Sequence, residues 1–227
     1  MYQPGWAGIF LNPFYFARKG LFRHIRDLSS NIIGRTLDIG CGIKPYQHLC
    51  SSTEYVGLEI DTPENREYKR ADCYYDGHRF PFENESFDAA VSSQVFEHVF
   101  NPEDFLKEVH RVLKENSAFL LTVPFVWDEH ETPFDFGRYS SFGIRHLLEK
   151  NGFSILVQRK SVDDVRVIFQ LLNAYLYKKT VTRSSLLNAA LALLLMAPLN
   201  IMGEILGRLL PKNPDLYLDN IVLARKA

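Results

Sequence analysis

The most informative chemical groups in this chain are acidic residues that lie in, or end, runs of apolar residues. Asp38 belongs to the first such run, and Gly40 and Gly42 follow it directly. Glycine is required where the backbone adopts a positive φ or approaches a ligand without a Cβ in the way. The stretch 37–42 therefore predicts a buried strand that turns sharply into a ligand-binding loop, with Asp38 placed to meet a cationic group.

A second apolar run, residues 55–60, also carries an acid near its end, Glu59. In open α/β sheets, an acid about twenty positions beyond the glycine loop binds the ribose hydroxyls of an adenosine ligand, and Glu59 lies at that distance. An unpaired carboxylate has no structural use in a buried strand. The spacing therefore indicates a ligand that contains adenosine.

The glycine loop alone is shared by sites for nicotinamide, flavin and S-adenosylmethionine (SAM). The G-x-G-x-x-G fingerprint of a pyrophosphate-binding loop needs a third glycine, but residues 43–46, which follow Gly42, contain none. This disfavours a pyrophosphate ligand. A tight turn that binds nothing is the remaining alternative.

A third run, residues 71–77, ends with Asp76 and Gly77. Asp76 would then be the third carboxylate at the end of a strand, where it can accept a hydrogen bond from an adenine amino group. Asp72 is the rival residue, but it would lie at the far end of the same strand.

Length and composition favour one domain with an elaboration over two independent domains, since 227 residues can bury one sizeable core. The chain has 26 basic and 27 acidic residues, so its charge does not favour nucleic acid as a partner. Cys41, Cys50 and Cys73 lack metal-ligand spacing and cannot all pair, which favours a reducing, cytoplasmic environment and no metal site. Residues 1–17 lack the basic region of a secretory signal, so we interpret them as part of the folded protein.

Strand and helix patterns alternate along the chain, which predicts a mostly parallel sheet covered by helices on both faces. Helices are predicted over residues 12–28, 45–50, 101–113 and 140–150. Further strands are predicted over residues 87–93, 118–123, 153–158 and 218–224.

Taken together, these segments resemble class I SAM-dependent methyltransferases, and most closely the branch called methyltransferase type 11. The resemblance rests on residues 37–42, 56–59, 76–82, 86–88, 97–98 and 105–114, and it covers about residues 35–160. It implies a Rossmann-like seven-stranded sheet whose last strand is antiparallel. We therefore divide the chain into an N-terminal helical cap (1–34), a SAM-binding core (35–160), a helical insertion (161–217) and a final strand (218–227).

The resemblance also implies a cofactor site. In this family the acid and glycines of the first loop contact the amino acid part of SAM, the acid that ends the second strand binds the ribose, and the acid before the Leu-Pro-Phe pattern approaches adenine. That last spacing selects Asp76 over Asp72. Backbone after the fourth strand lines the methyl-donor end. The predicted cofactor residues are Asp38, Gly40, Cys41, Gly42, Glu59, Ile60, Asp76, Gly77, Ser93 and Gln94.

The acceptor side is predicted in the segment 127–139, which leaves the carboxyl end of the fifth strand, where open α/β sheets place their ligands. Because SAM carries an activated methyl group, the protein mainly has to align a nucleophile and exclude water. His130 is a candidate base for a hydroxyl or amine nucleophile, and His98, after the fourth strand, is a second candidate. The candidate substrate-orienting residues are Asp135, Arg138, Tyr139 and Tyr15.

Each of these residues also has a purely structural alternative. Asp135 and Arg138 would form a salt bridge within the loop, and Tyr139 would pack before the next helix. His98 would cap or orient its loop, and the N-terminal helix with Tyr15 would pack on the sheet edge.

About sixty residues separate the sixth strand from the last, where a hairpin would suffice. Residues 161–178 have the pattern of an amphipathic helix, and residues 184–203 contain no charged residue. A single membrane span would prevent the last strand from returning to its sheet. A lid over the acceptor, a homodimer surface and a peripheral membrane contact through residues 184–210 remain, and Lys178, Lys179 and Arg183 keep the membrane alternative open.

Two hypotheses follow for the function. The first is a SAM-dependent methyltransferase that acts on a small-molecule, glycan or lipid-linked acceptor. The second is a SAM-binding module without transfer activity that serves as a partner in an assembly.

Overall fold

The computed structural model describes residues 2–227. Its strands are β1 (Ile33–Ile39), β2 (Ser51–Ile60), β3 (Cys73–Tyr75), β4 (Phe87–Ser93), β5 (Leu113–Pro124), β6 (Phe153–Ser161) and β7 (Asp219–Lys226). They form one seven-stranded sheet in the order β3-β2-β1-β4-β5-β7-β6. Its helices are α1 (Gly8–Leu11), α2 (Tyr15–Leu28), α3 (Pro63–Tyr68), α4 (Pro102–Val112), α5 (Ser141–Lys150), α6 (Arg166–Thr180), α7 (Ser185–Leu191) and α8 (Ala197–Leu209).

The pairing of the strands explains where the ligand edge lies. β1 pairs in parallel with β2 on one side and with β4 on the other, and β2–β3 and β4–β5 are also parallel. β7 is antiparallel, and helices cover both faces, so the predicted Rossmann-like sheet is confirmed. The strand order reverses between β1 and β4, and in open α/β sheets ligands bind at this switch point, at the carboxyl ends of the strands.

The core between sheet and helices is apolar and continuous. Leu37 and Ile39 of β1 and Leu58 of β2 are fully buried in it. Helix α4 begins with Pro102 in its first turn, followed by Glu103, where acids favour the positive end of the helix dipole. The buried side of that helix carries Phe105, Leu106, Val109 and Val112.

Two predicted helices are corrected by the structure. Residues 45–50 contain only a 3₁₀ turn, Gln47–Leu49, because β2 begins as early as Ser51 and leaves no room for a full helix. The insertion helix starts at Arg166 instead of residue 161. Strand β6 extends to Ser161, so the helix cannot begin there. The carboxylate of Asp164 then accepts the backbone N–H of Arg166, at the start of the helix.

Two compact units can be described separately. One, here called the sheet unit, comprises residues 24–125, 129–159 and 220–227. The other, here called the helical unit, comprises residues 2–23, 126–128 and 160–219. The N-terminal residues and the insertion therefore belong to the same unit.

The helical unit is held together by buried polar contacts. The amide of Asn173 on α6 donates to Asn200 on α8 at 2.9 Å, and Asn200 donates to the carbonyl of Ile9 at 2.9 Å. The buried carboxylate of Glu204 on α8 pairs with Lys19 and lies 3.8 Å from Arg166. These contacts fix α8 against α6 and the N-terminal segment.

The helix that runs from Ser185 to Leu209 is continuous, since a π-helical segment, Ala192–Met196, joins α7 to α8. Its 25 residues are long and apolar enough to cross a membrane by length and composition alone. About a third of its apolar window is buried. Most of that window is therefore exposed in the folded chain.

The two glycines after β1 serve different purposes. Gly40 has φ +69°, and a Cβ added there would lie 2.3 Å from Cγ2 of Val95, in the loop after β4. Gly42 has φ +52°, but no atom lies within 4 Å of the position of an added Cβ. Gly40 thus permits the close approach of two loops, whereas Gly42 only permits the turn.

Gly40→Ala should therefore lower the free energy of unfolding more than Gly42→Ala. Both changes strain the backbone by roughly 1–2 kcal/mol, and only the first adds a clash, which costs about 1–3 kcal/mol more. Urea denaturation of the two variants measures the difference. Val95→Ala should restore part of the loss in Gly40→Ala; equal losses in both glycine variants would contradict this account.

Candidate cofactor and acceptor site

Asp38 lies at the carboxyl end of β1 and is buried. The hydroxyl of Tyr55, on the neighbouring strand β2, donates a hydrogen bond to its Oδ2 at 2.9 Å. Burial raises the pKa of Asp38 to about 7, the Tyr55 hydrogen bond opposes this, and the charge of Glu59 adds to it. The buried carboxylate of Asp38 would therefore be stabilised in its charged form by a cationic group of a ligand.

Glu59 lies one residue before the end of β2 and is also buried. Its Oε1 accepts the backbone N–H of Gly42 at 2.6 Å, so the glycine loop is tied to the acid at the end of the next strand. Burial raises the pKa of Glu59, the Gly42 N–H opposes this, and the charge of Glu131 adds to it. A carboxylate in this position can accept hydrogen bonds from a ribose diol.

The glycine loop is shaped by β2. The backbone N–H groups of Gly40 and Cys41 lie 2.9 and 3.3 Å from the carbonyl oxygen of Leu58. The Cys41 side chain is buried against Gly57, where an added Cβ would lie 2.6 Å from its Sγ. Burial raises the pKa of the Cys41 thiol to about 12, so this side chain packs as an uncharged group inside the loop.

Asp76 directly follows β3, and β3 pairs in parallel with β2, so Asp76 lies at the same edge as Glu59. It is exposed, and its Oδ1 accepts the backbone N–H groups of His78 and Arg79. Gly77 provides the turn with φ +86°. The preceding strand ends with Ile60, whose apolar side chain is exposed and suited to the face of an adenine.

Asp72, the rival acid, lies before β3 and has a structural role. Its Oδ2 accepts the backbone N–H of Gly57 at 2.6 Å and pairs with Lys44. These contacts join the loop after β1 to β2 and to the segment before β3.

Ser93 and Gln94 stand where β4 ends, next to β1 at the switch point. Gln94 has φ +58°, which is unusual for a residue with a side chain. Its backbone N–H donates to the carbonyl of Thr122 at 3.0 Å, and its side-chain amide donates to the Thr122 hydroxyl at 3.2 Å. The Ser93 hydroxyl lies 2.9 Å from the same oxygen. Thr122 of β5 therefore holds the strained turn at the predicted methyl-donor end.

Asp135 organises the loop that follows β5. Its carboxylate forms a bidentate pair with Arg138, accepts the backbone N–H of His130 at 3.0 Å and lies 3.3 Å from Nδ1 of the His130 ring. The hydrogen bond from Arg138 is the main cause that lowers the pKa of Asp135 to about 2. The loop salt bridge thus exists, and it also orients His130.

His98 and His130 are brought together although they follow different strands. Their rings meet edge to face with centroids 4.8 Å apart. Nδ1 of His98 lies 2.8 Å from the carbonyl oxygen of Phe134. The fully buried carboxylate of Glu97 lies beside both rings, with Oε1 3.8 Å from Nε2 of His98 and 3.9 Å from Nε2 of His130. Two imidazoles and a carboxylate therefore meet at the predicted acceptor side.

The two tyrosines among the predicted substrate residues have different positions. Tyr139 is half-buried against Phe96, and its carbonyl accepts the side-chain amide of Asn220 at 2.7 Å. Tyr15 is buried in the helical unit, where its hydroxyl accepts a hydrogen bond from Lys19 at 2.9 Å. Their roles toward a substrate stay predictions.

Three residues of the site were not found from the sequence. Tyr55 and Thr122 lie on neighbouring strands, and only strand pairing shows that they support Asp38 and Gln94. Glu97 precedes a predicted site residue, but its burial depends on the loop after β5, whose Phe136 and Gly137 N–H groups donate to its carbonyl. An acid beside His98 was the one signal available in the sequence.

The arrangement fits SAM at each part of the cofactor. Buried Asp38 faces the end where the ammonium group is expected, Glu59 can bind the ribose, and exposed Ile60 can cover adenine. These features agree with the cofactor that the family resemblance implies.

Comparisons with known proteins agree with this fold. A family model described as a methyltransferase domain, of type 11, matches residues 37–121. No protein of curated function matches the sequence.

Similar solved structures share the fold at low sequence identity. The [4+2]-cyclase SpnF is 16% identical with TM-score 0.58, over 91% of this chain and 81% of that chain. A structure described as a putative sarcosine dimethylglycine methyltransferase from Galdieria sulphuraria is 20% identical with TM-score 0.53, over 95% and 85%. Phosphoethanolamine N-methyltransferase 2 of Haemonchus contortus is 17% identical with TM-score 0.57, over 97% of this chain and 56% of that chain.

The strand order and the family model matched over residues 37–121 support a class I SAM-dependent methyltransferase. The matched model is that of the type 11 branch, which the sequence resembles, and these findings support SAM as the cofactor.

The raised pKa of Asp38 predicts pH-dependent cofactor binding. Below about 7 the group is protonated, and above that value it is a carboxylate that attracts the ammonium of the ligand. Affinity for S-adenosylhomocysteine should therefore increase as the pH rises through 7, by up to about tenfold per unit on the acidic side, and binding should release a proton. Calorimetry in buffers of different ionisation enthalpy measures both quantities.

Asp38→Asn is the matched variant for this experiment. It should bind the ligand more weakly at neutral pH and lose the proton release, because the carboxyl group that gives up the proton is absent. Wild-type affinity that is constant through neutral pH, or equal proton release in Asp38→Asn, would contradict the assignment.

Proposed function

We propose that this protein transfers the methyl group of SAM to a hydroxyl or amine of a small-molecule, glycan or lipid-linked acceptor. The observation that carries the proposal is the meeting of His98, His130 and the Glu97 carboxylate after β4 and β5. The same edge of the sheet carries Asp38 and Glu59 on β1 and β2. Groups able to activate a nucleophile thus accompany the groups able to hold the methyl donor.

The chemistry requires little beyond alignment. The bond from the methyl carbon to sulfur breaks as a bond to the acceptor oxygen or nitrogen forms, and the acceptor loses a proton. His130 is suited to take that proton because Asp135 holds its ring by Nδ1, which leaves Nε2, beside Oε1 of Glu97, as the nitrogen that accepts it.

The alternative is a SAM-binding module without transfer activity. SpnF, which has a similar fold, is described as a [4+2]-cyclase and not as a methyltransferase. This similarity is a reason to test the alternative. The similarity to an N-methyltransferase solved with phosphomonomethylethanolamine favours including small amines among the acceptors. Both likenesses concern the fold alone.

Turnover of labelled SAM against hydroxyl and amine acceptors, each with and without a lipid tail, tests the proposal. Glu59→Gln should weaken binding of S-adenosylhomocysteine by roughly 10- to 100-fold, since it removes a charge that accepts hydrogen bonds. His130→Ala should reduce transfer and keep cofactor binding. Exposed Glu64→Gln, on α3, is the control and should behave as wild type.

The outcomes separate the two hypotheses. Cofactor binding that depends on Glu59, without transfer to any acceptor class, would favour the binding module. Undiminished affinity in Glu59→Gln would contradict the cofactor site itself.

For localisation we propose a peripheral membrane contact through the helix from Ser185 to Leu209. Large apolar side chains along it are exposed: Leu186 by 83%, Leu194 by 71% and Leu209 by 74%. Exposed basic residues, Lys179 and Arg183, precede it and suit anionic headgroups.

A cavity of about 540 Å³ in the helical unit is lined by residues that include Trp6, Phe14, Arg18 and Tyr177, a mixture suited to an amphipathic molecule.

Flotation with vesicles of phosphatidylcholine and phosphatidylglycerol tests this contact. The wild type should float with the vesicles, whereas Leu186→Lys combined with Leu194→Lys should remain in solution because it places charge on the apolar face. Phe142→Lys, a change at an equally exposed residue on α5, is the control and should float. Sedimentation of the wild type as a dimer that these lysines dissociate, without flotation, would instead indicate a surface between two copies.

A further inference from the structure

The geometry points to a binding site for a divalent transition-metal cation formed by Glu97, His98 and His130. One ligand atom from each residue lies within 4.8 Å of the other two. The spacing of the three cysteines gives no indication of a metal site, and none of them belongs to this cluster. The three ligands come instead from the segment after β4 and from the loop after β5, which only the folded chain brings together.

The separations suit a common ion better than mutual hydrogen bonds. Oε1 of Glu97 is 3.8 and 3.9 Å from the Nε2 atoms of His98 and His130, beyond hydrogen-bond distance. Bonds from zinc to imidazole nitrogen and carboxylate oxygen are about 2.0–2.2 Å, which places neighbouring ligand atoms roughly 3–3.5 Å apart. Since the three ligand atoms lie within 4.8 Å of one another, a bound ion would draw the two imidazole nitrogens about 0.3–0.9 Å closer to Glu97, and up to roughly 1.8 Å closer to each other.

Both imidazoles are held in the tautomer that ligation requires. Nδ1 of His98 donates to the carbonyl of Phe134 at 2.8 Å, and Nδ1 of His130 lies 3.3 Å from Oδ2 of Asp135. Each Nε2 then carries the lone pair and faces Glu97. A carboxylate or carbonyl behind a ligating histidine is the usual outer partner in metal sites, and here Arg138 in turn fixes the carboxylate of Asp135.

The ligand set also indicates the class of cation. Two imidazoles and one carboxylate suit zinc, cobalt, manganese or iron, whereas magnesium and calcium prefer oxygen ligands alone. Three protein ligands leave positions open for water or substrate, as in catalytic zinc sites. Glu131, whose Oε2 is 3.8 Å from Nε2 of His98, is exposed and could supply a further oxygen.

The role of the cation rests on the proposed function. A divalent cation lowers the pKa of an oxygen bound to it, so the acceptor favoured by this site is a hydroxyl, with the cation replacing His130 as the group that promotes loss of its proton. Cation binding itself does not depend on methyl transfer.

Titration of the chelator-treated protein with Co²⁺ tests the site, because cobalt bound by nitrogen and oxygen has visible absorption bands. The wild type should show these bands with saturation at one equivalent, and Zn²⁺ should displace them. His98→Ala and His130→Ala should each weaken Co²⁺ binding at least tenfold, and Asp135→Asn should weaken it about 10- to 100-fold as an outer partner. His146→Ala, a change at an exposed histidine on α5, is the matched control and should bind as the wild type.

Binding of S-adenosylhomocysteine, measured on every variant, shows which of them are folded. Absence of cobalt bands in the wild type, or bands unchanged in folded His98→Ala and His130→Ala, would overturn the site. Transfer to a hydroxyl acceptor that persists after chelation would overturn the role of the cation and leave the methyltransferase intact. Cobalt binding without any transfer would support the site and count against the proposed function alone.

Discussion

Two buried carboxylates at the ends of neighbouring strands are the constraint on which the site depends. Parallel pairing of β1 with β2 brings Asp38 and Glu59 to one edge, where burial disfavours ionisation of both, and the charge of Glu59 adds to this effect at Asp38. Asp38 accepts a hydrogen bond from the hydroxyl of Tyr55, and Glu59 accepts one from the backbone N–H of Gly42. An ammonium group of a ligand would stabilise the charge of Asp38, and a ribose diol would donate hydrogen bonds to Glu59. This edge of the sheet therefore suits an adenosyl amino acid.

The acceptor side uses the same groups for structure and for chemistry. Asp135 links Arg138 to His130, so a salt bridge that would be ordinary in a loop also sets the orientation of an imidazole. The backbone of Glu97 accepts two N–H groups from the loop after β5, while its side chain faces His98 and His130. The functional and structural interpretations of these residues are therefore not exclusive.

The helical unit follows a different physical principle. Its long apolar helix is fixed by a few buried polar contacts, the amides of Asn173 and Asn200 and the carboxylate of Glu204, and leaves large apolar side chains exposed. A helix on the surface of a globular protein usually buries its apolar face and exposes its polar groups. This inversion is the physical basis for the proposed contact with a lipid surface.

The sequence by itself predicted the parallel sheet and the acids near the strand ends, because periodicity and the spacing of glycines and acids are local properties of the chain. The type of cofactor came from the resemblance of these motifs to a known family. The sequence placed His98 and His130 near the acceptor but not against each other. It also did not show the burial of Glu97, the support of Asp38 by Tyr55, or the strained turn of Gln94 held by Thr122. Only the tertiary structure decided these contacts, because each joins residues on different strands or loops, and their distance depends on strand order and register.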